Sequence, residues 1–118
     1  MMIITKKINI ATKYLRQLKK DIRLLTLNMD IIREVGEENT DVVEREFRLL
    51  KSKFYLLRAQ HEKYRDIAYD IVTSAQETDD ETKSLAKELQ DVSDQCRIES
   101  DLMNSSFIRI AVKHFKVT

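Results

Sequence analysis

The residues of this 118-residue chain best suited to acid–base, metal or nucleophilic chemistry are His61, His114 and Cys96. Their neighbours decide against all three roles. His61-Glu62 opens like a zinc-protease helix, where two histidines one turn apart hold the metal and the glutamate activates water. The second histidine belongs at position 65, which is Arg65. Carboxylate-bridged di-iron bundles need a glutamate three residues before each ligating histidine. Those positions hold Arg58 and Ala111. Cys96 has no partner for a disulfide and falls on an apolar helical stripe, where a thiol acts as a small core residue. Nothing in the spacing assembles a nucleophile, base and orienting acid. A single glycine, Gly36, rules out phosphate-cradling loops. Asn104-Ser105-Ser106 fits a glycosylation sequon and is read as chance. The expectation is a non-enzymatic chain with no catalytic residue, no metal ligand and no cofactor.

The elements that carry these residues are long helices. Turns depend on glycine and proline, and with one glycine and no proline the chain has few. Charged residues make up 35% and apolar ones 42%, which with sustained helical periodicity places the chain near the coiled-coil class. Ile4, Ile8, Ala11, Leu15, Leu18, Ile22, Leu25, Met29 and Ile32 alternate steps of four and three, predicting a first helix over 5–35. Tyr14, Leu24, Leu27 and Ile31 widen that stripe, so this helix should meet more than one neighbour. Gly36 is the expected stop and Asn39 or Thr40 the next cap. A second seam then runs Val43, Phe47, Leu50, Phe54, Leu57, His61, Tyr64, Ala68 and Ile71 within a helix over 40–74. His61 is thus expected as a packed seam histidine, with a modest pH response of helix packing as its one functional consequence.

A third helix is predicted over 78–105, opened by a capping box in which Thr78 and Glu81 bond each other's amides. Its stripe of Leu85, Leu89, Val92 and Cys96 meets Glu99 where an apolar residue is due. One extra step of four, at Ser100, would restore it at Met103, Phe107, Ile110 and His114. By this reading helices one and two form the firmly specified hairpin, and helix three is the element expected to move. The fold class is all-α, an antiparallel three-helix bundle of coiled-coil-like helices forming one domain over 1–118. Each of the first two helices should be about 45–55 Å long. Residues 107–118 read as a C-terminal arm, either final helix or extended chain. Phe107, Ile108, Ile110, Val112 and Phe115 are its candidate partner-binding residues.

Formal net charge is +1, yet residues 1–24 carry seven Lys or Arg against Asp21 alone, and residues 77–101 carry nine carboxylates against three basic residues. In an up–down–up bundle helices one and three run parallel, so these blocks should face each other and fix register. The competing reading gives Lys13, Arg16, Lys19 and Lys20 to an anionic surface, a membrane or nucleic acid. A balanced net charge disfavours it. No apolar run reaches the roughly 18 residues of a spanning helix, and Lys6, Lys7 and Lys13 interrupt any signal-peptide core. The acid-free first 20 residues share one trait with mitochondrial presequences but are poor in Arg and Ser. The expected compartment is the cytoplasm, with the nucleus as the alternative.

The run from Val43 to Tyr64 (VEREFRLLKSKFYLLRAQHEKY) resembles the helical N-terminal region of Bel/Pao-type retrotransposon Gag polyproteins, where a similar helix is followed by an acidic link and another helix. The resemblance spans residues 18–103 and rests on apolar spacing, without a zinc knuckle or capsid signature. It implies an assembly or interaction segment with no catalytic residues. Partners are accordingly expected to be protein, either another protein or the chain itself, meeting through helical seams.

Overall fold

A computed structural model describes residues 2–35 and 40–115, with the side chains of residues 2, 35, 40, 114 and 115 left aside. The expected stop at Gly36, the caps at Asn39 and Thr40, and the side chains of His114 and Phe115 lie outside what is described. Three helices follow in order: α1 (Met2–Val35), α2 (Thr40–Ser74) and α3 (Asp80–Phe115). The protein is an all-α three-helix bundle. Thirty-four residues at about 1.5 Å each make α1 about 51 Å long. The molecule measures 58 × 23 × 17 Å, so the helices lie side by side over their whole length.

Side-chain pairs set the topology. Tyr14 stacks on Tyr64 with ring centroids 5.6 Å apart and Leu24 shares a groove with Leu56, while Phe54 stacks on Phe107 at 4.3 Å and Arg65 shares a groove with Arg97, so α2 runs antiparallel to both of its neighbours. Arg23 meets Glu99 at 2.7 Å and Ser106 meets Asp30 at 3.0 Å, each pair 76 residues apart. A constant offset means that α1 and α3 are parallel. The basic stretch of α1 therefore does lie against the acidic stretch of α3, with Arg16 on Glu88 and Lys19 on Gln95 completing the row.

The core is made of the seams. Ile8, Ala11, Leu15, Leu18, Ile22, Leu25 and Met29 of α1 are buried, as are Val43, Phe47, Leu50, Phe54, His61 and Ala68 of α2. The third seam corrects the sequence reading. Thr82, Leu89, Val92, Cys96, Glu99, Met103, Ser106 and Ile110 are buried, and half-buried Leu85 fills the one gap in an unbroken three–four alternation. There is no extra step at Ser100. Three seam positions are polar: Thr82 lies in the first turn, bonded to Asp79, while Glu99 and Ser106 have partners on α1, Arg23 and Asp30. What breaks is the apolar pattern, while the helix keeps its register.

Small residues bring α3 close to α1. The backbones of α1 and α3 approach more extensively than those of α1 and α2. Ala86, Ser93, Cys96 and Ser106 lie buried on α3 and Ala11 and Thr12 on α1, and small side chains let backbones come close. The Cys96 thiol donates to the Leu15 carbonyl at 3.1 Å. α2 contributes bulkier rings along much of its seam.

Helix three also begins and ends elsewhere than expected. α2 passes into a 3₁₀ turn over Ala75–Glu77. Thr78 instead closes that turn, donating both its amide at 3.2 Å and its hydroxyl at 2.6 Å to the Ala75 carbonyl. Asp79 is the cap: its carboxylate accepts the Thr82 amide at 2.8 Å, and its carbonyl accepts the Lys83 amide at 3.0 Å to start the helix. At the far end α3 runs on to Phe115 rather than stopping near 105. Of the stretch read as an arm, residues 107–115 continue α3.

Candidate interaction face

Each residue that suggested chemistry is placed by its helix. Cys96 is fully buried, and burial pushes its thiol up to about 11, so it stays protonated and inert as a nucleophile. His61 sits on the α2 seam with only 5% of its surface exposed. Burial, reinforced by the Arg65 guanidinium, holds it below its ordinary value against the weaker opposing pull of Asp101 and Glu62. It is a neutral imidazole at pH 7. Among the described residues no cluster of three or more His, Cys, Asp or Glu could hold a metal ion. No helix there is long and apolar enough to cross a membrane.

The four basic residues proposed for an anionic surface separate. Arg16 and Lys19 bond α3 side chains, while Lys13 and Lys20 point to solvent. The C-terminal candidates separate too. Ile110 is buried in the core, and Phe107 is half-buried between Phe47 and Phe54, with ring centroids at 5.2 and 4.3 Å. Ile108 and Val112 face outward, beside Arg33 of α1. Phe107 and Ile110 therefore belong to the bundle interior and cannot serve as partner contacts without opening it.

A different face gathers the unpartnered apolar residues. On α1, Leu24 and Ile31 are exposed seven residues apart with Leu27 beside them, while Ile3 and Ile10, in the same heptad place, border a groove shared with Asp79, Glu81 and Thr82 at the start of α3. On α2, Val42, Leu49 and Leu56 recur at seven. Leu24 and Leu56 are 59% and 58% exposed and line one groove of about 190 Å³ between α1 and α2, with Asp21, Asn28 and Lys53 also on its walls. Two turns on, in opposite chain directions, Ile31 and Leu49 take equivalent places, each 58% exposed. A helix whose stripe faces only its own bundle has no reason to carry a second heptad stripe on its back. The sequence signal for this face was the width of the α1 stripe. The matching stripe on α2 was missed because Val42, Leu49 and Leu56 lie beside a complete seam.

No family model matches the chain, and no curated protein or solved structure matches it. Function has to be read from the molecule itself.

Proposed function

We propose that this protein is a non-enzymatic helical interaction module that self-associates through the outer face of α1 and α2. The observation that carries this reading is the pair of exposed heptad stripes. At roughly 100 Å² of open apolar surface each, Leu24, Leu27, Ile31, Leu49 and Leu56 offer about 500 Å² per copy. That is as large as the biggest apolar patch of a typical monomer. Doubled across a two-fold axis it gives about 1,000 Å², enough for a specific interface before the polar rim is added.

A second copy suits the face better than an arbitrary helix because the rim complements itself. With the two-fold axis along the bundle, α1 of one copy lies antiparallel to α2 of the other, and the four helices form a ring. Antiparallel register then sets Glu34 at the level of Arg45, and Lys13 at the level of Asp66 and Asp70, all of them exposed. Lys20 and Lys63 come near the same level and are long enough to splay into water. Self-association of this kind agrees with the assembly role that the Gag-like resemblance implies. In a dilution series of ¹⁵N-labelled protein, amide shifts at 24–31 and 49–56 should change together and saturate. Changes centred on α3 instead would move the interface off this face and refute the assignment.

A further inference from the structure

On the opposite flank, α2 and α3 leave between them a groove of about 340 Å³, and its walls are polar. Arg58 and Arg65 enter it from α2 and Arg97 from α3, with Glu62 and Asp101 as the acidic groups and Ser100 and Asn104 as neutral ones. No charged residue of α1 lines it. Arg65 and Arg97 also share the wall of the next groove along, beside Tyr69, Gln90, Ser93 and Asp94. By the register that stacks Phe54 on Phe107, these two guanidinium groups stand at the same level on facing helices.

Like charges opposed across an interface call for a counter-charge between them. Arg58 is engaged with Glu62 at 3.6 Å. Arg65 touches only its chain neighbour Asp66, at 3.4 Å, and Arg97 forms no ion pair among the described residues. The groove lining thus carries three guanidinium groups against two carboxylates, Glu62 and Asp101, and Arg97 is the guanidinium among them that forms no ion pair with a described residue. At its inner wall is His61, and its Nε2 is a buried polar atom with no hydrogen-bond partner. A buried polar atom left unpaired in a seam otherwise well satisfied calls for a partner. The opposed guanidinium groups would repel a cation. They present forked N–H donors suited to an oxyanion, and Nε2, in its N–H tautomer, adds a donor from below.

We propose that this groove binds a small tetrahedral oxyanion of the phosphate class, clamped between Arg65 and Arg97 and bonded by His61 Nε2. Binding would tie α2 to α3 at the least extensive of the three helix interfaces. It is independent of the α1–α2 face and stands or falls separately.

The test is an NMR titration of the full chain with inorganic phosphate at constant ionic strength, chloride making up the balance. The His61 ring resonances should shift saturably, sulfate should act in the same way, and the His61 titration midpoint should rise as the anion binds. The charged groups that face the ring are Arg58, Glu62 and Arg65 on α2 and Arg97 and Asp101 on α3. Arg97→Gln, at an exposed position, should weaken phosphate binding tenfold or more, and Arg65→Gln should do likewise. Lys13→Gln should leave it unchanged. No saturable His61 shift, or equal phosphate affinity in Arg97→Gln and Arg65→Gln, would overturn the proposal.

Discussion

Phe54→Ala tests the packing of the bundle where all three seams depend on rings from α2. Phe54 is 1% exposed, lies flat on Phe107 at an interplanar angle of 7°, and takes the edge of Tyr55 at 5.5 Å. Truncating a buried phenylalanine costs about 3–5 kcal/mol, combining lost transfer energy with the residual cavity. Stacking of the two rings should add about 0.5–1.5 kcal/mol beyond area. A small domain has only about 5–15 kcal/mol in total, so Phe54→Ala could sit near its unfolding threshold. Phe54→Leu, which keeps most of the volume, gives a milder point in the series and should cost less than about 1.5 kcal/mol. Urea unfolding followed by far-UV circular dichroism, at dilution low enough for a single species, supplies the free energies. The double variant with Phe107→Ala should cost less than the sum of the single changes by about 0.5–1.5 kcal/mol, because each single change already destroys the stack. A loss below about 1 kcal/mol for Phe54→Ala, or strict additivity with Phe107, would refute the packing described above.

Two further predictions concern the polar seam positions. Arg23→Ala strips the partner from Glu99, whose side chain is only 11% exposed, and should cost about 1–3 kcal/mol, whereas Glu99→Met should be neutral or stabilising. If Arg23→Ala costs no more than the ±0.5 kcal/mol of an ordinary surface change, Glu99 is not a seam residue. His61 makes stability depend on pH in a definite direction. Its folded value lies below 6.5, so as pH falls through 6.5 the unfolded chain takes up the proton first and stability declines until the folded value is passed. In phosphate-free buffer His61→Phe should flatten that decline. An unchanged slope in His61→Phe, or an NMR midpoint at or above 6.5, would contradict the burial argument.

The seams of α1 and α2 were legible because every third or fourth residue is apolar, and because glycine and proline are too scarce to interrupt them. Helix three was legible only as far as its core stayed apolar. Glu99 and Ser106 hold seam places that hydropathy assigns elsewhere, and their partners, Arg23 and Asp30, lie 76 residues away in sequence. The cap moved by one residue for a local reason, since the 3₁₀ turn after α2 occupies the Thr78 hydroxyl and leaves Asp79 to open α3. Of the candidate sites, the width of the α1 stripe hinted at an outer face. Periodicity alone cannot say which of two stripes on one helix meets its own chain. The Arg65–Arg97 opposition and the unpaired His61 nitrogen arise from the α2–α3 register, which no single-sequence pattern encodes.

Self-association through α1 and α2 is tested most directly by sedimentation equilibrium of the wild-type chain beside Leu24→Glu and Leu56→Glu. Both positions are more than half exposed, so the substitutions should leave the helicity of the isolated bundle intact. The wild type should show a concentration-dependent dimer, and each variant should remain a monomer of full helicity. A wild type that stays monomeric at every concentration reached, or variants that dimerise as strongly as the wild type, would contradict it.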